Sequence, residues 1–260
     1  MKRLIAEFDR AYIINLSDRL DRRQEAEDEF GKIGLTIPND QVRFYTATRP
    51  TDRGNFHSVG ARGAFTSHRN VLDLAAADKL QNVLVFEDDV SFRNVGDDCI
   101  SQIIARLSDK DWDLIFFGYT SPSDQALIGP LIPWKRITIG THFYAVNGRF
   151  MGRMLEYMRD SEVGPAGNSE HGPTSADGIY NRVRLQDPNI RVLLAAPSLA
   201  FQRSSRTDLQ PVSIYDRLSF LAPGMRTARK IKHQLRMTLD SIALRWRPKV
   251  ICRSRSNPWL

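Results

Sequence analysis

The chain has 260 residues, 42% hydrophobic and 26% charged, with 16 glycines, 13 prolines and two cysteines; this ordinary globular composition excludes collagen-like, low-complexity and disulfide-stapled chains. Its length suits one large domain, or one domain with an appendage, able to bury a substantial core without metal or disulfide. The net charge of +7 is unevenly spread, because residues 221–260 hold ten Lys/Arg and a single acid, Asp240, leaving 27 basic and 29 acidic side chains in a nearly neutral body. That balance argues against nucleic-acid binding by the body and assigns the electrostatics to the tail.

Ala11 to Leu16 is a short apolar run with β-branched residues, the pattern of a buried strand. Ser17-Asp18 opens a charged, helix-favouring stretch from Arg19 to Phe30, closed by Gly31 and Gly34. Val42 to Ala47 reads as the next strand. Gly60 to Gly63 reads as a flexible entry, with Thr66-Ser67 capping a helix from about His68 to Lys79 whose apolar positions include Val71, Leu72 and Ala75. Val83 to Phe86 is a fully apolar strand that runs directly into Glu87-Asp88-Asp89. Ile100 to Leu107 follows as helix and Leu114 to Phe117 as a strand ending at Gly118.

Ser121 to Pro133, rich in Pro and Gly, reads as a loop, and Val163 to Pro173 as a mobile one. Between them lie a strand at Phe143 to Val146 and a helix at Arg149 to Arg159. Ser175-Ala176-Asp177 precedes a helical Gly178 to Leu185, and Val192 to Ala196 is the last strand. Strands alternating with helices predict an α/β sandwich with a mostly parallel sheet, in which ligands bind beyond the carboxyl ends of strands. From Met225 to Trp246, Ile231, Leu235, Leu239, Ile242 and Trp246 recur at helical spacing among Lys230, Lys232, Arg236, Arg245 and Arg247. A basic amphipathic helix of this kind lies on an anionic membrane surface or packs its apolar face on the body. The expected division is a catalytic domain over 1–215 and a tail over 216–260. Glu7 and Asp9 interrupt any signal-peptide core, no run approaches a membrane span, and Cys99 and Cys252 form no framework. The expected location is therefore the cytoplasm, peripheral on the inner face of the membrane if the tail binds there.

Three adjacent carboxylates at a strand end repel one another unless a cation joins them. Mn²⁺ or Mg²⁺ would do so, taking one or two carboxylates and completing its shell with water and phosphate oxygens. Along an extended chain Glu87 and Asp89 point one way and Asp88 the other. A solvated acidic turn is the bland alternative. The chain contains no phosphate-binding GxxxxGK[ST] loop, no GxSxG elbow and no HExxH. Standing alone, His68 reads as a hydrogen-bonding residue at a helix start. His142 reads as a turn residue or a metal or phosphate contact, and Asp177 as an acid favoured by a helix N-terminus.

The order of segments is more specific than any one of them: YIINLSDRLDRR (12–23), GARGAFTSHRNVL (60–72), VLVFEDDV (83–90), WDLIFFG (112–118), GTHFYAVNGRFMGRML (140–155), SADGIYNRV (175–183) and APSLAFQRSSRTD (196–208). Over about residues 10–210 this order resembles glycosyltransferase family 25, the lipopolysaccharide-biosynthesis and collagen-galactosyltransferase type. The resemblance implies a GT-A-like nucleotide-sugar fold, a UDP-sugar donor, a divalent metal and inversion at the anomeric carbon. It places Asn15, Arg19, Arg22, Arg23, Ser67, His68, Glu87, Thr141, His142 and Tyr144 around the donor, and Asp89 with Glu87 on the metal. Asp177 is the expected general base, with Asp88 as second candidate. Ala64 stands where family members often carry Cys, and the basic tail lies outside the resemblance. The implied acceptor is a glycan or lipid-linked saccharide. A sugar nucleotidyltransferase is a rival reading, although SDRLDRR lacks the glycines of a nucleotide loop; a scaffold with a degenerate transferase body is the other.

Overall fold

The structure, a computed structural model, describes residues 1–109, 111–121, 129–165, 168 and 172–203. The boundary expected at 215 and the basic tail lie outside the described residues. Short helix α1 (Lys2–Ile5) precedes β1 (Arg10–Asn15), α2 (Leu20–Lys32), β2 (Val42–Thr46), α3 (Val59–Ala77), β3 (Asn82–Glu87) and β4 (Val90–Phe92). There follow α4 (Asp97–Leu107), β5 (Leu114–Gly118), β6 (Gly129–Pro133), β7 (Phe143–Asn147), α5 (Gly148–Val163), α6 (Ala176–Gln186), β8 (Val192–Ala196) and β9 (Ala200–Gln202).

The main sheet runs β2-β1-β3-β7-β5-β8-β6, with β9 joining β4 to β5. Pairing is parallel for β1 with β2 and β3 and for β5 with β8, and antiparallel where β7 and β6 enter. Five of the seven main strands therefore run one way, the mostly parallel α/β sheet that the strand–helix alternation predicts.

Period-two alternation divides the core. Ala11 and Ile13 of β1, with Leu84 and Phe86 of β3, face α1, α2 and α4 through Leu4, Phe30 and Ile103. Tyr12, Ile14, Val83 and Val85 face α3, α5 and α6 through Leu72, Met154 and Ile179. Both strand faces are dry, which explains the uninterrupted apolar runs. Phe30 is fully buried and meets Phe86 edge-on, centroids 5.1 Å apart, and each such ring stabilises the sandwich by roughly 1.5–3 kcal/mol over leaving it in water.

Three expectations are corrected. The third helix begins at Val59, nine residues before His68, because the Ser58 side chain caps it by accepting from Ala61 N. Thr66 and Ser67 are therefore mid-helix, and the glycines preceding them are helical. Gly63 is there for close approach, since a Cβ would stand 2.8 Å from Thr48 O. Within the expected loop 121–133, Gly129–Pro133 is an edge strand, where prolines are tolerated. The helix read as ending at Arg159 continues to Val163.

Candidate functional site

In the order β2-β1-β3 the chain leaves β1 for one side and later returns to the other, so a switch point lies between the carboxyl ends of β1 and β3. Asn15 ends β1 and Glu87 ends β3. Antiparallel β7 starts at the same edge, Phe143 opposite Phe86, and delivers Thr141 and His142 there. Strand β9, antiparallel to β4, sets Gln202 opposite Val90 beside the acidic turn. Segments more than 180 residues apart in sequence thus meet around Glu87-Asp88-Asp89.

Each carboxylate has its own partners. Asp88, 6% exposed, accepts from Asn15 Nδ2 at 2.8 Å and from Arg22 Nη1 at 2.7 Å. Glu87 accepts from Thr141 Oγ1 at 2.7 Å and lies 3.6 Å from His68 Nε2. Asp89, buried, accepts from Gln202 Nε2 at 3.1 Å, with Arg22 Nη1 at 3.7 Å; the same amide is 3.4 Å from Glu87. Arg203 clamps the turn's backbone, donating to Asp88 O at 2.6 Å and Val90 O at 2.7 Å. Gln202 and Arg203 are the contributors that sequence reasoning missed. They sit in the segment 196–208 that carries part of the resemblance, but neither residue type signals such a role.

Electrostatics separates the acids. Burial works to raise the Glu87 carboxyl, but the hydrogen bonds of His68 and Thr141, with the His142 ring beside them, outweigh it and hold it down to about 2. Asp89 is pushed up to about 7, by burial first and then by Glu87, against the pull of Arg22. Burial likewise raises Asp88, with Arg22 and Asn15 opposing.

Behind Glu87 runs a buried relay. Tyr180 donates to the Tyr144 hydroxyl at 2.7 Å, and Tyr144 lies 2.9 Å from His68 Nδ1. Because Tyr180 fills the acceptor side of Tyr144, the Tyr144 proton goes to Nδ1, which leaves the His68 N–H on Nε2, facing Glu87. Burial raises both phenols, keeping them protonated donors.

The remaining sequence candidates divide. Asp177, in the first turn of α6, accepts from Gly178 N at 2.9 Å and reaches Gly140 N at 3.4 Å, one residue from the Thr141 contact with Glu87. His142 is fully buried, its Nε2 3.4 Å from Ala200 O and its Nδ1 without a partner among the described residues. Burial lowers its pKa. Ser67 donates to Gly63 O and accepts from Thr48 N, which ties α3 to the segment after β2 rather than to the acidic turn. Arg19 pairs with Asp21, and Arg23 pairs with Glu27 and lies over the Phe44 ring, on the α2 surface.

A divalent cation fits the donor set on one specific ground: Asp89 Oδ1 is buried with no hydrogen-bond donor among the described residues, and Gln202 is the amide that Asp89 and Glu87 share. Among the described residues no group of three or more His, Cys, Asp or Glu is placed to hold a metal ion. No described helix is long and apolar enough to cross a membrane.

No family model matches the chain. A curated "Glycosyltransferase 25 family member" of Drosophila melanogaster is 27% identical over 127 residues, covering 42% of this chain and 21% of that protein. The chain is thus similar to a member of the family that its motif order resembles, and the match spans about a fifth of the relative's length. Similar solved structures include a glycosyltransferase involved in glycosylation of the major capsid of PBCV-1, at 11% identity and TM-score 0.46 over 76% of this chain and 94% of that one. A UDP-glucose pyrophosphorylase complexed with UDP-glucose has 11% identity and TM-score 0.39 over 72% of each chain. Mouse xyloside xylosyltransferase 1 has 7% identity and TM-score 0.36 over 70% of this chain and 83% of that one.

Proposed function

We propose that the chain is an inverting glycosyltransferase that moves a hexose, galactose in the first instance, from a UDP-sugar to a hydroxyl of a glycan. The acceptor class we favour is lipopolysaccharide or another cell-surface saccharide. The observation that carries the reading is the meeting of Asn15, Arg22 and Thr141 with the acidic turn at the β1/β3 switch point, with Asp177 reaching Gly140 N, the residue before Thr141. The similarity to a glycosyltransferase 25 family member supports it.

Glu87 and Asp89 would hold Mn²⁺ or Mg²⁺, which when bound neutralises charge on the departing diphosphate. The chain's own residues do the rest. Arg22 fixes Asp88 and, lying beside Asp89 as well, would offer its positive charge to the diphosphate. Thr141 and His68 orient Glu87, so its carboxylate is set before the donor arrives. The attacking hydroxyl must lose a proton as its bond to the anomeric carbon forms, and one displacement needs one base. Asp177 takes that proton, its carboxylate steadied by Gly178 N and Gly140 N. Asp88, with both oxygens engaged, serves the donor side in this reading rather than the proton. The basic tail would hold the enzyme at an anionic membrane surface, on the cytoplasmic face, where a lipid-linked acceptor is presented.

The test is turnover across a panel of UDP-sugars, with Mn²⁺ and with chelator, for wild type and Asp89→Ala. Metal-dependent transfer of one donor, lost in the variant, supports the assignment. Chelator-insensitive transfer overturns the metal role, and absence of both UDP binding and turnover overturns the enzyme.

A further inference from the structure

Residues 135–140 form a strap along α6. Arg136 O accepts from Arg184, the Thr138 backbone exchanges hydrogen bonds with the Asn181 side chain, and Gly140 N reaches Asp177. The strap therefore runs antiparallel to the helix, from its end back to its start. Thr138 is fully buried, whereas Ile137 and Ile139 on either side of it are 60% and 50% exposed. Extended residues alternate between faces, so the two isoleucines point outward together. Leu185, 69% exposed, stands at the far end of the same edge, where it shares a cleft with Lys135. Three of the seven large aliphatic side chains exposed among the described residues thus fall on one edge. Scattered singly they would mean little, but grouped and rimmed by polar residues they mark a contact surface.

Charge selects the partner. Lys135 and Arg136 are exposed in the strap, which contains no acid. Arg184 beneath it donates to two neutral oxygens, so its charge adds to theirs. The neighbouring acids Asp111 and Asp187 are paired with Arg191 and Arg153. An edge both positive and aliphatic suits an anionic bilayer, whose headgroups take the basic side chains while the aliphatic ones enter the acyl boundary. The chain's own tail is an unsuitable cover, because its ten Lys/Arg against one acid over residues 221–260 would set like charges together. The tail works with the edge instead. The described fold ends at Arg203, which clamps the acidic turn at the same end of the sheet as Thr141, the residue after the strap.

We infer that this edge of the body is a contact with anionic membrane, separate from the tail, with Ile137 and Ile139 in the bilayer interface and Lys135 and Arg136 on the headgroups. Since the strap ends beside Asp177, a bilayer under it brings lipid-borne hydroxyls to the acceptor side of the site. That consequence rests on the transferase reading; the binding itself does not.

The experiment mixes the full chain with vesicles of phosphatidylcholine, alone or with an equal part of phosphatidylglycerol. An environment-sensitive NBD label is placed at Ile137→Cys or, as control, at Ala105→Cys, exposed on α4 in the opposite helical layer, both in a Cys99→Ala/Cys252→Ala background. The label at 137 should shift to the blue with the anionic vesicles and stay unchanged with phosphatidylcholine alone, and the label at 105 should not shift. In the otherwise native chain Ile137→Asn/Ile139→Asn should weaken binding to anionic vesicles at least about tenfold, since two buried aliphatic side chains are lost, and leave UDP binding unchanged. Vesicle binding with no shift at 137, or unaltered by the double variant, would assign the membrane to the tail alone and overturn the edge. A concentration-dependent shift without lipid would mean that a second copy covers it, and overturns it too. UDP binding, measured separately, reports on the transfer site alone.

Discussion

Arg22 Nη1 donates to Asp88 Oδ1 at 2.7 Å, with the two side chains only 12% and 8% exposed, and so bolts α2 to the acidic turn. Asn15 holds the other oxygen of Asp88 at 2.8 Å. Removing one partner of a buried pair leaves an uncompensated charge, which costs about 3–5 kcal/mol. Arg22→Ala should therefore destabilise the chain by about 3 kcal/mol in urea unfolding, and Asn15→Ala by about 1–2, since it removes one charge-assisted hydrogen bond. A loss below about 0.5 kcal/mol for Arg22→Ala would mean that the pair does not hold the turn.

Asp89 and Glu87 titrate in opposite senses. Asp89 stands at about 7, raised by burial and then by Glu87, above an unfolded value near 3.9. The folded chain therefore binds its proton more readily, and stability falls as pH rises from about 4 to about 7. Glu87 stands at about 2, where the His68 and Thr141 interactions overcome burial. Its contribution is present above about 4.5 and is lost as pH falls toward 2. In metal-free urea unfolding Asp89→Asn should be more stable than wild type above pH 7, on the order of 2–4 kcal/mol, and the gap should close near pH 4. A gap that stays constant between pH 4 and 8 would place the raised carboxyl elsewhere.

The acidic turn was legible because an apolar strand runs straight into it, and the strands Val83–Phe86 and Leu114–Phe117 were legible because both faces are dry. What surrounds the turn was less so. Gln202 meets Asp89 across more than 110 residues, through a three-residue strand too short to carry a periodic signal. The start of α3 was hidden because Gly60 and Gly63 read as breakers, whereas close packing on Thr48 O is what Gly63 serves. Tyr180 read as an ordinary helix residue; only the fold shows that it reaches Tyr144.

That relay gives a third prediction. Tyr180→Phe removes the donor to Tyr144, so the Tyr144 proton is no longer directed to His68 Nδ1. The buried hydrogen bond is worth about 1 kcal/mol of stability. Transfer should fall about tenfold, and a double-mutant cycle with His68→Ala should show coupling of about 0.5–3 kcal/mol, as expected within one network. Additive effects would mean that the tyrosines only fill space.

Gly118 carries a fourth. A Cβ there would stand 2.8 Å from His142 Nε2 and 2.9 Å from Phe143 Cβ, both fully buried. The only relief is a shift of the segment that carries Thr141. Gly118→Ala should cost about 1–3 kcal/mol by overpacking and weaken UDP binding as well. Gly152→Ala, at a helical position with open space, should change neither. Loss of stability with unchanged UDP binding would separate Gly118 from the site.

Asp177 is where the proposed chemistry is most exposed to refutation. Its two backbone hydrogen bonds hold the carboxylate at the start of α6, beside Gly140 and one residue from the Thr141 link to Glu87. Asp177→Asn keeps an oxygen to accept from one amide, and Ser175 still caps the helix by accepting from Gly178 N, so the fold should survive. Removing a general base costs about 10²–10⁴-fold in rate. The expected result is therefore a drop of that size in kcat with UDP binding unchanged. If Asp177→Asn turns over normally while Asp88→Asn does not, the proton goes to the acidic turn instead, and Arg22 rather than Gly140 becomes the group that sets the base.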